Sequence, residues 1–222
     1  MKLLITGGTG VLARASIPLL RDAGHEIDAR GRGDLDLFDP ASVRSAVDGA
    51  DGIMHLATRI PPRDEQGNPE AWRVNDRLRS EATPILVDAA LEAAVKRFVF
   101  PSIAFVYPAS GPADESTPVA SPAPEFARSA LEAEREVTRF AEASGEGVIL
   151  RLGLLYGPGT GSDTPAERFA PYGATVRIED AGTALAVSLE IPGGIYNVTC
   201  DGERISNRRL KEASGWRPEH AE

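Results

Sequence analysis

The chain has 222 residues, 42% of them hydrophobic and 26% charged, the make-up of an ordinary globular chain long enough to bury a sizeable core. Against 24 Lys and Arg stand 33 Asp and Glu, and the net charge of −9 argues against nucleic acid or an anionic membrane as main partner. The single cysteine, Cys200, cannot close an internal disulfide and nearly excludes a cysteine-based metal site.

No segment reaches the ~18–20 consecutive apolar residues of a membrane span. The opening Met-Lys-Leu-Leu-Ile-Thr-Gly-Gly is too short an apolar run for a signal peptide. The expectation is a cytoplasmic protein whose first strand starts at once, Leu3 to Thr6. Residues 11–23 carry Val11, Ala15, Leu19 and Leu20 at helical spacing and stop before Gly24, a C-terminal signal. His25 to Ala29 reads as a second strand. Asp39-Pro40 then caps a helix to Val47, with Pro at its first position. Gly52 to Ala57 is a strand. Residues 71–94 form a long helical pattern that Pro84 is expected to kink or split. Arg97 to Phe100 is a strand closed by Pro101-Ser102, 125–143 a helix, and Val148 to Leu152 another strand. This alternation predicts an α/β fold, a doubly wound parallel sheet with helices on both faces. Stretches 108–124 and 157–173, rich in Pro, Gly, Ala and Ser, read as loops, where such folds place ligand sites.

After the first strand comes Thr6-Gly7-Gly8-Thr9-Gly10-Val11-Leu12-Ala13. Glycines at 7 and 10 permit a tight turn and let backbone amides approach a pyrophosphate at the start of the next helix; Ala13 lets that helix pack close. The position between a strand and a helix is the context that such a loop requires.

With these residues the chain resembles an extended short-chain dehydrogenase/reductase of the NAD-dependent epimerase/dehydratase family, whose T-G-G-x-G-x-x-G opening it shares except for Ala13 at the last glycine. Asp36-Leu37-Phe38-Asp39-Pro40 resembles D-L-x-D-P, which implies that Asp36 and Leu37 bracket the adenine. His55-Leu56-Ala57-Thr58 resembles the H-L-A-A beside the cofactor ribose, and Val74-Asn75 the V-N of the following helix. Val95-Lys96-Arg97-Phe98-Val99-Phe100 resembles the approach to the next strand. Leu150-Arg151-Leu152-Gly153-Leu154-Leu155-Tyr156-Gly157-Pro158 resembles L-R-P-x-x-x-Y-G-P, which brings Leu152 to the nicotinamide side. The resemblance implies a Rossmann fold and a dinucleotide held by Gly7, Thr9, Gly10, Val11, Leu12, Asp36, Leu37, Leu56, Ala57, Thr58 and Leu152.

The second strand runs into Arg30-Gly31-Arg32. An acid at its end would select NAD, and a nearby arginine would accept the 2′-phosphate of NADP. The acidic position falls at about Gly31, and Arg30 and Arg32 offer planar forks for phosphate, which favours NADP over NAD. Asp28 is the competing acid, and it falls inside the strand.

In the resembled family a Ser or Thr, a Tyr and a Lys carry the chemistry, the last two in P-x-Y-x-x-S-K-x-x-x-E. Here that stretch reads Pro124-Glu125-Phe126-Ala127-Arg128-Ser129-Ala130-Leu131-Glu132-Ala133-Glu134, with Phe126 for the tyrosine and Ala130 for the lysine. The general acid–base couple is therefore absent. The serine position falls on Ile103, or on Ser102 with one residue inserted. Ser102 and Tyr107 are the candidate substitutes; His55, Glu125 and Tyr156 have ready structural explanations.

The expectation is one domain, 1–222, with a Rossmann core over about 1–156 and a shortened substrate lobe over about 157–222. The function expected is an NADP-binding enzyme with altered chemistry (isomerase, dehydratase or cyclase) on a small molecule; a non-catalytic nucleotide-binding sensor or support for a partner enzyme ranks close behind it, and an NADPH-dependent reductase with a substitute acid ranks last. Helices 71–94 and 125–143 resemble the family's dimerising pair, so a homodimer is expected. No metal is expected.

Overall fold

The structure is a computed structural model that describes residues 1–164, 174–202 and 204–220. Its centre is a six-stranded, wholly parallel sheet in the order β2-β1-β3-β4-β5-β8. The strands are β1 (Lys2–Thr6), β2 (Glu26–Arg30), β3 (Gly52–His55), β4 (Arg97–Ile103), β5 (Gly147–Leu152) and β8 (Gly194–Val198). Two short strands, β6 (Leu154–Tyr156) and β7 (Thr175–Arg177), pair apart from it. The near-continuous burial of β1 and β4, complete in β3 and β5, is what the middle of a sheet covered on both faces demands.

One face is covered by α1 (Val11–Asp22) and α6 (Ile178–Val187), with Leu3, Ile5, Leu150 and Trp216 in the shared core. These helices approach so closely that a Cβ on Gly182 would lie 2.8 Å from the carbonyl oxygen of Ala15. The other face carries α2 (Pro40–Val47), α4 (Thr83–Glu92) and α5 (Arg128–Ser144), packed on Leu4, Ile53, Phe98 and Ile149. Asp39 caps α2 as expected, accepting from the amides of Ala41 and Ser42. The last helix is α7 (Arg208–Ser214).

The chain leaves β1 towards β2 on one side and returns to β3 on the other. That reversal opens a crevice beyond the carboxyl ends of β1 and β3, the place where open α/β sheets bind ligands.

Two elements differ from expectation. First, β4 does not close at Pro101 but continues to Ile103, paired with β5 throughout. Phe98 donates towards β5, so by alternation the nitrogen of Pro101 faces β3, whose pairing has ended at Val99. A proline costs no ladder bond there. Second, the 71–94 pattern is split at Pro84 as expected, but the irregular turn extends five residues upstream of α4. The pattern becomes α3 (Pro69–Arg77), a π-helical turn over Leu78–Ala82, and α4, in whose first turn Pro84 sits without strain. The Leu78 carbonyl accepts from Thr83 Oγ1 at 3.3 Å and meets His55 Nε2 at 3.3 Å. Single π turns inside helices gather at functional sites.

Candidate active site

The glycine loop is shaped for a close backbone approach. Gly7 has φ +70°, and a Cβ there would stand 2.7 Å from the backbone of Leu56 and Ala57. The loop therefore lies directly against the end of β3. Gly10 donates to the Gly7 carbonyl at 2.8 Å and opens α1 with no side-chain cap. No acidic residue stands in the first turn of α1, so its amide end is left for an anion. Ala13 is fully buried, as close packing on the sheet requires. A Cβ on Gly159 would lie within 3.4 Å of the side chains of Val11 and Arg14, so the loop after β6 covers the start of α1. These residues fit a dinucleotide: Gly7, Thr9, Gly10, Val11 and Leu12 under the pyrophosphate, with Leu56, Ala57 and Thr58 alongside at the end of β3. Leu152 stands at the same carboxyl edge, at the end of β5.

At the end of β2 the two arginines differ. Arg30 is clamped to Asp28 on the same strand face, Nε to Oδ1 at 2.6 Å and Nη2 to Oδ2 at 2.9 Å. That hydrogen bond, against some burial, holds the Asp28 carboxyl below the usual carboxylate range. Arg32 lies on the exposed turn that follows. Gly31 borders Thr9 and donates its amide to Asp34 Oδ2 at 3.0 Å. The fork of Arg30 is thus already engaged by Asp28, and Arg32 has no such carboxylate partner among the described residues. Asp36 accepts from the Phe38 amide, and Leu37 is buried beside it.

His55 ends β3 and is 1% exposed. Its Nδ1 lies 2.7 Å from Thr6 Oγ1, and its Nε2 faces the Leu78 carbonyl. This network assigns a neutral ring that accepts from Thr6 and donates to Leu78. Burial pulls its pKa down to about 4. Below pH ~6.5 the unfolded chain takes up a proton that the folded chain refuses. Stability contributed by neutral His55 is therefore complete above pH ~6.5 and is lost as pH falls towards 4, by up to about 3 kcal/mol. Urea unfolding of the wild type between pH 7 and 4.5 is expected to show this loss and His55→Phe to lack it; parallel pH slopes would mean that His55 titrates normally.

Ser102 and Tyr107 are buried in one polar network. Ser102 Oγ donates to Glu134 Oε1 at 2.5 Å. Arg151 on β5 binds both oxygens of Glu134, at 3.0 and 2.7 Å. Arg151 also donates to the Tyr107 hydroxyl at 2.9 Å, and that hydroxyl donates to Asn197 Oδ1 at 2.9 Å. Burial raises the Tyr107 pKa. Both hydroxyls are thus committed to protein partners.

Phe126 sits in a short 3-10 turn, Glu125–Ala127, and is 43% exposed. Ala130, in the first turn of α5, is fully buried. Phe126 lines a cleft of about 630 Å³ between α3 and the start of α5. Trp72 adds a second aromatic surface, and Asp76, Glu125 and Glu132 bring carboxylates beside the single guanidinium of Arg128. A cleft of this size takes a drug-sized small molecule.

The sequence pattern of the NAD dependent epimerase/dehydratase family matches residues 3–187. The chain belongs to that family. A 3-diazoavenalumate denitrifying reductase from a Streptomyces species is 34% identical over 220 residues, spanning 90% of this chain and 67% of the relative. Among solved structures, the UDP-glucose 4-epimerase of Thermus thermophilus in complex with NAD superposes with TM-score 0.77 at 21% identity, covering 99% of this chain and 94% of that one. The UDP-Glc/GlcNAc 4-epimerase of Campylobacter jejuni gives TM-score 0.79 at 17% identity, covering 100% and 95%. At these identities the structures establish the Rossmann-like fold of the family.

Within this epimerase/dehydratase-family fold, the glycine loop packs against the end of β3 and borders Gly31, while Ser102 and Tyr107 lie in the buried Glu134–Arg151 network. Asn75 and Arg79, the latter on the π turn, are two buried polar residues of this region. Asn75 was visible as part of the V-N resemblance. Arg79 was not, because nothing in Leu78–Ala82 marks a π turn and an arginine in a helical run reads as solvated.

Proposed function

We propose that the protein is a nicotinamide-dinucleotide-dependent reductase that delivers hydride to a cationic aromatic electrophile, of the arenediazonium class, and releases dinitrogen. The reading is carried by Phe126 and Ala130, which stand where the resemblance to the family puts its acid–base couple. A carbonyl reduced by hydride becomes an alkoxide and needs a proton from a positioned acid. An arenediazonium ion does not: Ar–N₂⁺ and one hydride give Ar–H and N₂, with charge and atoms balanced and no oxyanion formed. The name of the Streptomyces relative, a denitrifying reductase of a diazo compound, supports the same chemistry.

The bound dinucleotide would supply the hydride from its reduced nicotinamide. This chain's own residues bind and orient. The glycine loop and the uncapped start of α1 hold the pyrophosphate. Trp72 and Phe126 offer flat faces to an aromatic ring, and Asp76, Glu125 and Glu132 favour its positive charge. Ser102 and Tyr107 act as structural members of the Glu134–Arg151 network. Of the three functions left open by the sequence, a reductase is favoured, but one in which no substitute acid is required.

The cofactor is proposed to be NADP, on Arg32 and the missing acid at Gly31. The test is consumption of NADPH and NADH with an arenediazonium carboxylate, followed by absorbance and by N₂ release. One N₂ and one deaminated arene per NADPH are expected, NADPH being preferred, and Arg32→Ala should lower that preference more than Arg30→Ala. Nicotinamide oxidation without N₂ release would sink the reading.

A homodimer through α3 and α5 is proposed as well, since Val74 is 46% exposed there. Light scattering at micromolar concentration should give twice 23.6 kDa; a clean 23.6 kDa species would exclude it.

A further inference from the structure

We propose that the segment 216–220 is a strap whose docking on Asp180 and Tyr156 is coupled to dinucleotide binding, each favouring the other. The inference rests on the dinucleotide binding proposed above and concerns residues to which that reading gives no role.

The strap is held by one buried carboxylate. Asp180, in the first turn of α6, is 2% exposed. Its Oδ1 accepts from the Glu219 amide at 3.1 Å and from His220 Nδ1 at 2.9 Å, and its Oδ2 accepts from the His220 amide at 3.3 Å. Among the described residues, the hydrogen-bond partners of this carboxylate all belong to the strap. Trp216 is the fixed end: its ring is buried in the core under α1 and α6, and its Nε1 donates to the Asp180 carbonyl at 3.1 Å and to Thr183 Oγ1 at 3.0 Å. Beyond it Arg217, Glu219 and His220 are exposed, and no large apolar side chain follows. A segment with so few apolar contacts opens locally, at the low end of the stability scale. When it lifts, a buried carboxylate loses its donors, so docking is favoured without being fixed.

Two paths lead from the strap to the dinucleotide crevice. Tyr156, the last residue of β6, donates its hydroxyl to the His220 carbonyl at 2.9 Å. The loop that follows is closed on itself, Gly157 donating its amide to the Ser162 carbonyl at 2.6 Å and Thr160 Oγ1 donating to the Gly157 carbonyl at 2.8 Å. This loop lays Gly159 against Val11 and Arg14 at the start of α1, and Arg14 donates in turn to the Thr9 carbonyl at 2.6 Å. The second path is α6 itself. Gly182 lies so close to Ala15 that the helix bearing Asp180 cannot shift without moving α1. Both paths end at the glycine loop and the uncapped start of α1.

A ligand shifts a conformational equilibrium only by its differential affinity for the two states. A dinucleotide held between the glycine loop and the 157–162 loop meets a fixed wall when the strap is docked and a loosened one when it is not. Linkage then makes the effect reciprocal: the factor by which undocking weakens the dinucleotide is the factor by which saturating dinucleotide suppresses undocking. Asp180 and Tyr156 are thus positioning residues that act through the strap.

The test is amide hydrogen exchange read at Glu219 and His220, with and without saturating NADP or NAD, whichever binds more tightly, beside titration calorimetry of the wild type and of Tyr156→Phe/Asp180→Asn. The dinucleotide is expected to slow exchange at both amides about tenfold. The variant should exchange freely there and bind the dinucleotide weaker by a similar factor. Equal wild-type exchange with and without dinucleotide overturns the proposal, and this comparison needs no variant to fold. A variant whose strap exchanges freely but which binds as tightly as the wild type overturns it too. Failure of the wild type to bind any dinucleotide removes both this inference and the reductase reading. Slowed exchange at the strap without N₂ release removes only the latter.

Discussion

Arg151→Met is expected to lower the free energy of unfolding by about 3–5 kcal/mol. Arg151 and Glu134 have side chains only 5% and 7% exposed, and the guanidinium binds both carboxylate oxygens. Removing the cation leaves a buried carboxylate whose remaining donor is Ser102, and it strips a donor from the Tyr107 hydroxyl. Since whole domains are stable by only about 5–15 kcal/mol, this change alone takes a large share. The double variant Arg151→Met/Glu134→Gln should recover part of the loss, because no uncompensated charge is left. Ser102→Ala, which removes one charge-assisted bond, should cost about 1.5–3 kcal/mol. Urea denaturation of the four proteins checks the order. A loss below about 1 kcal/mol in Arg151→Met would mean that water reaches Glu134 and that the network is not the closed cluster described.

That network explains why the fold was more legible in the sequence than the site. Period and punctuation report the backbone. The glycine loop, the Asp39-Pro40 start of α2 and the strand–helix alternation all reflect local chemistry, and the structure bears them out. The misreadings arose where a distant element decides. Pro101 looked like a strand end because nothing local says that β3 pairing has already stopped on its nitrogen side. Pro84 does mark the split of the long helix, in the first turn of α4, but nothing local says that the irregular turn reaches back to Leu78, whose carbonyl meets His55 from another strand and accepts from Thr83. Ser102, Glu134, Tyr107 and Arg151 come from β4, α5, the loop after β4 and β5, and no spacing announces that they meet. One signal was available and not used. Asp28 and Arg30 stand two apart on a strand, hence on one face, which already predicts the pair that engages the Arg30 fork.

Restoring the lost acid–base couple should change which substrates the protein reduces. With Phe126 and Ala130 in place, simple ketones and nucleotide sugars are expected to be reduced at negligible rates, since a positioned acid–base group typically contributes ~10²–10⁴-fold. Phe126→Tyr alone returns a hydroxyl but no cation at its side, so its gain should be small. Phe126→Tyr/Ala130→Lys returns both, but Ala130 is fully buried, so the new ammonium enters the interior. A buried ammonium costs stability unless a carboxylate meets it. The full gain in carbonyl reduction is therefore expected in the double variant, at a cost in its thermal stability. Reduction of an arenediazonium ion should follow the opposite order. Phe126→Tyr should leave it unchanged, because no proton is needed, and the double variant should gain nothing. Steady-state NADPH consumption with both substrate classes, alongside thermal unfolding of each variant, measures this reversal. If the wild type already reduces ketones readily and Phe126→Tyr changes nothing, the pocket holds another acid. In that event Tyr107→Phe and Ser102→Ala would show whether one of the buried hydroxyls leaves its network to serve.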